Sequence, residues 1–431
     1  MNKTETILNL VKDEDVRFIR LQFTDLSGKI RNMAITVGQL EKALAGELTF
    51  NSLSVEGFDS GEEQELYLKP DISTFEIFPW RPHQGKVARF ICDIYNQDNR
   101  IYEADPRNIL KKIIAEAGKM GINPLIQPKC EFFLFNTDES GNATTNTNDL
   151  GTYFDVAPLD NGENCRREII MTLEDMGFEI ESSHHEMGNG QHQVNFKKGE
   201  LLLSADRLMT FKMTVKTIAK RHGMHATFMA KPVTEQPGSG MYFDISLNKD
   251  GKNIISKDNV LTDTARKFIA GILKYTPQMA FITNPTVNSY RRLVTGSNAP
   301  CYIGWSDKNK DAIVRVFKLQ GDNASISFRA PDPTANPYLA IAAVIKAGIE
   351  GIKYNFEPWD YVPVGNENLK NLETMPANLI AAVEESKKSS FAKELMGEKM
   401  YKSYIKLKTD EYNDYKKYVG QWELEKYLNK Y

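Results

Sequence analysis

The sequence predicts an α+β protein of two domains, and three observations carry that prediction. At 431 residues the chain is longer than one hydrophobic core ordinarily serves. Its first ~100 residues read mostly as strands with short connections. Beyond them, strands and helices mix without a regular alternation. The boundary is placed near residue 103, giving domains 1–103 and 104–431.

In the first domain, Phe18-Ile19-Arg20-Leu21-Gln22-Phe23 and Val87-Ala88-Arg89-Phe90-Ile91-Cys92-Asp93 are strands rich in aromatic and β-branched residues. An extended segment with Phe, Pro and Trp, Phe75 to Pro82, lies between them. Asp105-Pro106-Arg107 opens a helix, with Asp as cap and Pro at the first helical position. That helix runs to about Met120, and Gly121 ends it. Asn123 to Phe135 is a long strand, and Asn164 to Met176 is a helix stopped by Gly177. Glu179 to Glu186 and His192 to Lys197 are strands flanking a Gly188–Gly190 turn. Ser204 to His222 is a helix, followed by strands Ala226 to Met229 and Met241 to Leu247. Asp263 to Tyr275 and Asn336 to Lys346 are helices. The tail from about Asn378 is helical and charged. It ends in Trp422-Glu423-Leu424-Glu425-Lys426-Tyr427-Leu428, whose apolar residues predict docking onto another surface.

Composition narrows the function classes. A net charge of -3 and a pI near 6.2 give no electrostatic reason for a nucleic-acid or anionic-membrane partner. The four cysteines, Cys92, Cys130, Cys165 and Cys301, form no CxxC pair and read as reduced, packed thiols. No stretch approaches the ~20 apolar residues of a membrane span, and the first residues lack a signal-peptide pattern. The expected location is cytoplasmic.

Chemistry concentrates in one place. Three of the six histidines lie in Ser183-His184-His185-Glu186-Met187-Gly188-Asn189-Gly190-Gln191-His192-Gln193. With Glu186 among them, the stretch resembles half of a metal site. Strand alternation puts Lys129, Glu131 and Phe133 on one face of the Asn123–Phe135 strand, and Ser182, His184 and Glu186 on one face of another. Glu131 and Glu186 therefore either point into one cavity or are unrelated surface carboxylates. Arg292 is either a bidentate clamp for a carboxylate or a solvated arginine. Gly238-Ser239-Gly240 is either a phosphate-cradling turn or a tight strand entry. Arg315 and Arg329 either bind phosphate or pair with surface acids.

Taken together, several segments resemble bacterial class I glutamine synthetase over nearly the whole chain. They are Arg20-Leu21-Gln22-Phe23-Thr24-Asp25, Val55-Glu56-Gly57-Phe58, Lys86 to Asn96, Glu131-Phe132-Phe133-Leu134-Phe135, Ser183-His184-His185-Glu186, Asn284 to Leu293 and Asp332 to Ala340. The resemblance implies an N-terminal β-grasp domain, a C-terminal catalytic α/β domain, and a dodecamer of two hexameric rings with active sites between subunits. The stretch from Leu369 to Pro376 lacks the tyrosine of adenylylated members, so the chain is similar to the non-adenylylated branch. The implied reaction is ATP-dependent amide formation from glutamate and ammonia through γ-glutamyl phosphate. Two divalent metals, held by five glutamates and one histidine, serve the phosphoryl transfer.

Against that pattern the chain departs at most ligand positions. Glu131 and Glu186 match. Lys129, Gln193 and Ser327 stand where the family has glutamate, and Tyr242 stands for the histidine. The exchanges leave the pocket four charge units more positive, the charge of two divalent ions. Asn51 stands for an aspartate at the ammonium site and Asn298 for the flap glutamate. Lys310 and Ser325 stand for arginines, and Pro237 for an asparagine. Lys231, Gly238, Ser246, Arg292, Arg315 and Arg329 match. Magnesium and manganese want hard oxygen ligands, which a protonated lysine cannot supply. The sequence thus predicts a relative that has lost ligation, needs no cofactor, and pairs Lys129 with Glu131 or Glu186. Its role would be regulatory or scaffolding, with an active glutamine synthetase, a nitrogen-regulatory protein or a small amino acid as partner. The alternative is an active glutamate–ammonia or glutamate–amine ligase with a rebuilt site, using ATP and magnesium or manganese.

Overall fold

A computed structural model describes residues 3–58, 63–81, 84–297, 299–369 and 371–431. The chain opens with helix α1 (Lys3–Asp13) and strands β1 (Val16–Thr24) and β2 (Ile30–Thr36). Helix α2 (Leu40–Leu44) and strands β3 (Leu48–Asn51), β4 (Glu65–Ile77) and β5 (Lys86–Tyr95) follow. These strands form one sheet in the order β2-β1-β5-β4-β3, with β1 and β5 parallel at its centre. Alternation along β1 and β5 buries Ile19, Leu21, Ala88 and Phe90.

Helix α3 (Pro106–Lys119) starts as the sequence dictates: the Asp105 carboxylate accepts from the Arg107 N–H at 3.0 Å, and Pro106 occupies the first turn. Then come β6 (Asn123–Asn136), α4 (Glu163–Asp175), β7 (Ile180–His185), β8 (Gln191–Phe196), β9 (Gly199–Glu200), α5 (Leu201–Arg221), β10 (Met224–Thr227) and β11 (Met241–Lys249). Short strands β12 (Lys252–Asn253), β13 (Ser256–Lys257) and β14 (Val260–Leu261) lead to helices α6 (Asp263–Thr283) and α7 (Ser289–Arg292). Strands β15 (Tyr302–Ser306), β16 (Ala312–Lys318) and β17 (Ser325–Phe328) precede α8 (Pro337–Lys353), α9 (Leu379–Lys387), α10 (Phe391–Met396), α11 (Glu398–Tyr415) and α12 (Gln421–Tyr427). The second sheet runs β15-β16-β17-β11-β6-β8-β7, with β9 and β10 pairing β6 and β12 pairing β11.

The observed architecture is α+β, as the sequence predicts, with several elements differing in extent. Helix α1 lies in a region read as strands. Helix α6 continues past Pro277 to Thr283 because Met279, Ala280, Phe281 and Ile282 are fully buried, and that packing outweighs one missing N–H. Helix α8 is buried around nearly its whole circumference. It packs so closely on α6 that a Cβ at Gly271 would lie 2.1 Å from the Ala347 carbonyl oxygen. Any side chain there would force the helices apart.

Arg107 ties the two sheets' regions together. Buried in α3, it binds Asp93 of β5 and Asp71 of β4, each at 2.8 Å, and Asp206 of α5 at 2.8 and 3.0 Å. All four cysteines are buried free thiols. No described helix is long and apolar enough to cross a membrane. At the tail, Trp422, Leu424, Tyr427 and Leu428 are exposed.

Candidate active site on the ten-stranded sheet

Register, more than sequence spacing, assembles the site. On β6, Lys129 faces Asn195 of β8 on one side and Tyr242 of β11 on the other, and Glu131 faces Gln193. Gln193 in turn faces His184 of β7. On β11, Asp244 faces Ser327 of β17, which faces Arg315 of β16. Directly opposed residues share a face, so Glu131, Lys129, Gln193, His184, Tyr242, Asp244, Ser327 and Arg315 all rise from one side of the sheet.

Glu131 is 6% exposed. One oxygen accepts the Tyr242 hydroxyl at 2.7 Å, and the other accepts the Gly240 N–H at 2.7 Å and Gln191 Nε2 at 3.3 Å. Burial first, and the nearby Glu186 carboxylate second, push its pKa up to about 7 despite those donors. Glu186 pairs with His184 Nε2 at 2.8 Å. The two carboxylates rise from the same face, the charge of one raises the other, and neither is a surface acid: Glu131 is 6% exposed and the Glu186 side chain 13%.

Lys129 does not pair with either. Its Nζ lies 2.8 Å from an Asp244 carboxylate oxygen. The reason is the antiparallel register: Tyr242 is opposite Lys129, and Asp244 lies two residues along on the same face. Tyr242 and Gly240 have already taken the Glu131 oxygens, and His184 holds Glu186. Gln193 donates to Asn195 Oδ1 at 2.7 Å, and Asn195 to Ser182 at 3.0 Å. The Tyr242 hydroxyl is held well above its ordinary pKa by burial and by Glu131, and the Arg329 guanidinium lies 5.2 Å from its ring centre. Ser327 and Ser325 are buried on β17.

Of the remaining predicted residues, the arginines stay beside the site with donors turned to backbone carbonyls, and others lie away from it. Arg292 donates to the Ala330 and Arg329 carbonyls at 2.9 and 3.2 Å, with its charge near enough to Glu131 to favour the carboxylate. Gly238-Ser239-Gly240 is a tight strand entry. A Cβ at Gly238 would lie 2.5 Å from the Ala230 carbonyl oxygen, and the Ser239 and Gly240 N–H groups serve Ala230 and Glu131. Ser246 donates to the Ala324 carbonyl at 3.0 Å. Arg315 donates to the Asp307 carbonyl at 3.2 Å and Arg329 to that of exposed Lys310 at 2.7 Å. Lys231 bonds to the Gln236 carbonyl. Asn51 lies in the other sheet, at the end of β3, bonded to Leu53 and Glu63. Asn298 lies outside the described residues.

Sequence reasoning missed what lies on the sheet's opposite face. There His185 and His192 meet Asp149 and Asp160, and the four ligand-type atoms lie within 4.8 Å of one another. The cluster already holds a cation of its own. Arg166 of α4 binds Asp160 at 2.7 Å and His192 Nδ1 at 2.8 Å. Asp149 accepts His185 Nε2 at 2.8 Å and the Gly190 N–H at 3.0 Å. Against the burial that would raise it, these bonds lower Asp149 to about 2. Burial would lower His185, but Asp149 and the Glu186 carbonyl outweigh it and raise its pKa. His192 is lowered well below the ordinary value by burial and by Arg166. The histidine stretch is therefore split: His184 and Glu186 lie on the Glu131 face, while His185 and His192 brace the loop that carries Asp149.

Residues 15–97 match the family described as glutamine synthetase, beta-Grasp domain, and residues 103–427 that described as glutamine synthetase, catalytic domain. The chain belongs to the glutamine synthetase family. It is 49% identical over 437 residues to a glutamine synthetase of Clostridium saccharobutylicum, covering 99% of both chains. It is 43% identical over 441 residues to that of Staphylococcus aureus, covering 99% of this chain and 98% of the relative. Among solved structures, a GmaS/ADP complex superposes with a TM-score of 0.89 at 27% identity, covering 98% of this chain and 99% of the other. A Plasmodium falciparum glutamine synthetase shares the fold, with a TM-score of 0.89 at 24% identity and 99% coverage of both chains.

These glutamine synthetase relatives overturn the expectation that no cofactor is needed. The family works with ATP and magnesium or manganese, so both are expected here. Glu131 and Glu186 are the two carboxylates that would hold such an ion, through the lone pairs their present donors leave free. Glu131 and Glu186 are close carboxylates of which one is destabilised by the other, and a divalent cation between them would relieve that repulsion. Beside them stands the Lys129–Asp244 pair, at 2.8 Å.

Proposed function

We propose that this chain is an active, ATP-dependent glutamate–ammonia or glutamate–amine ligase with a rebuilt site, rather than a silent relative. The observation that carries this is that Glu131 and Glu186 stay together on one sheet face within a chain 49% identical to a glutamine synthetase along its whole length. A metal held there would neutralise phosphate charge during transfer. Tyr242 and Gly240 fix the Glu131 oxygens, and Lys129, Arg315 and Arg329 are the cations of the same face. The ADP carried by the structurally similar GmaS supports a nucleotide as co-substrate.

The finer parts of this reading are the non-adenylylated branch, the 1–103 and 104–431 division, a cytoplasmic location and a closed homo-oligomer. The first sheet ending at Tyr95 and the Asp105 cap support the division. The exposed apolar tail around Trp422 supports self-association.

The test is product formation. Purified protein is incubated with glutamate, Mg-ATP or Mn-ATP and a panel running from ammonia to small alkylamines, and γ-glutamyl products are read by mass spectrometry. Product is expected with at least one amine and lost in Glu131→Gln. No product from any amine, while the Clostridium relative turns over alongside, would reject the reading in favour of a regulatory or scaffolding role.

A further inference from the structure

The second cation position on the cleft face belongs to the protein itself. Asp244 is 2% exposed, and neither of its carboxylate oxygens accepts a hydrogen bond among the described residues. A buried, unsolvated carboxylate without a donor is unstable unless a positive charge stands beside it. That charge is the Lys129 ammonium, 2.8 Å away though off the line of a hydrogen bond. Tyr242 is committed to Glu131, and Gln193 to Asn195. Directly opposite Asp244 on β17 is Ser327, which carries no charge.

Lys129 is also not sealed in, since its side chain keeps a fifth of its surface. It rises beside Glu131, with Tyr242 across the strand and the Arg329 guanidinium over that ring. An ammonium in that setting acts as a compact point charge suited to phosphate oxygens.

We propose that the Lys129–Asp244 pair is a built-in cation site that replaces one divalent ion, so that each chain takes a single ion between Glu131 and Glu186 and uses the Lys129 ammonium to bind nucleotide phosphate. This rests on the ligase reading above but is tested without turnover. The full-length protein is titrated with Mn²⁺ in the absence of nucleotide, and free ion is followed by electron paramagnetic resonance. The expected count is one ion per chain, lost in Glu186→Gln and rising to two in Lys129→Glu. Two ions per chain in the unaltered protein, none at all, or a count that stays at one in folded Lys129→Glu would overturn the proposal.

If Lys129→Glu does not fold, Lys129→Met/Asp244→Asn serves instead, because removing both charges leaves no unpaired ion. It should still take one Mn²⁺, while its affinity for Mn-ADP falls about tenfold, roughly 1.4 kcal/mol. Unchanged ADP affinity would overturn the phosphate role. A protein that binds one ion yet forms no amide would uphold this inference and reject the ligase reading, so the two failures are distinct.

Discussion

Strands β7 and β8 carry ionisable groups on both faces, and the two faces are balanced in different ways. On the helix-covered side, Asp149 and Asp160 meet His185, His192 and Arg166, and the anions find donors within the chain. On the other side, Glu131 of the neighbouring β6 and Glu186, just past the end of β7, repel one another, and the ammonium beside them is committed to Asp244. A closed cluster that supplies its own cation is structural. In the other, burial and the Glu186 charge both raise Glu131, a tension that a bound cation would relieve. The presence of histidines and carboxylates close in sequence distinguishes neither face from the other.

The largest effect should come from breaking the closed face. Arg166→Leu strands Asp160 and the lowered His192 in the core and should cost ~3–5 kcal/mol of stability in chemical denaturation, the scale of an uncompensated buried charge. Retained stability would show that this cluster is not held by its arginine. Next comes Glu131→Gln, nearly isosteric and on the other face. It should lower kcat by ~10²–10³, the scale of one electrostatic catalytic group, while the unfolding midpoint barely moves. Equal losses of stability and activity would erase the distinction between the faces.

The Lys129–Asp244 pair sits between these extremes. Lys129→Met alone should destabilise by ~1–3 kcal/mol by leaving Asp244 unmatched, and adding Asp244→Asn should recover most of that loss. Additive costs would mean the pair is not a unit. The smallest effect is in acid. Asp149 is lowered in the fold to about 2 from an ordinary 3.8. The unfolded chain therefore binds its proton first, and the stability it contributes is fully present above pH 4 and lost as pH falls through 2. Urea midpoints between pH 5 and pH 2 should fall less steeply in Asp149→Asn, and an unchanged slope would remove Asp149 from the closed network.

Much of this was legible in the sequence, for definable reasons. The Asp105-Pro106 start is local chemistry and appears where expected, and the strand alternation that puts Lys129 and Glu131 on one face follows from the pleat. What failed depended on partners distant in sequence. The partner of Lys129 is set by the β6–β11 register, which aligns it with Tyr242 and brings Asp244 within reach; Glu131 and Glu186 looked equally available until their other contacts were known. The same holds for Arg292, whose donors go to carbonyls of the segment after β17. Arg166 gave no signal because nothing near it in sequence announces that α4 packs its arginine against β8. The expectation of a dead site came from counting replaced ligands against the two that match, a count that could not include the charge that Asp244 returns.

The central claim is that the Glu131 face still performs phosphoryl transfer. It is tested most directly by positional isotope exchange. ATP labelled with ¹⁸O at the β–γ bridge is incubated with the protein, glutamate and Mg²⁺ or Mn²⁺, with no amine present. Reversible formation of γ-glutamyl phosphate should scramble the label between bridging and non-bridging β-phosphoryl positions, only when glutamate is present and not in Glu131→Gln. Label that stays in the bridge with glutamate and either metal, while the Clostridium relative scrambles it, would contradict the account.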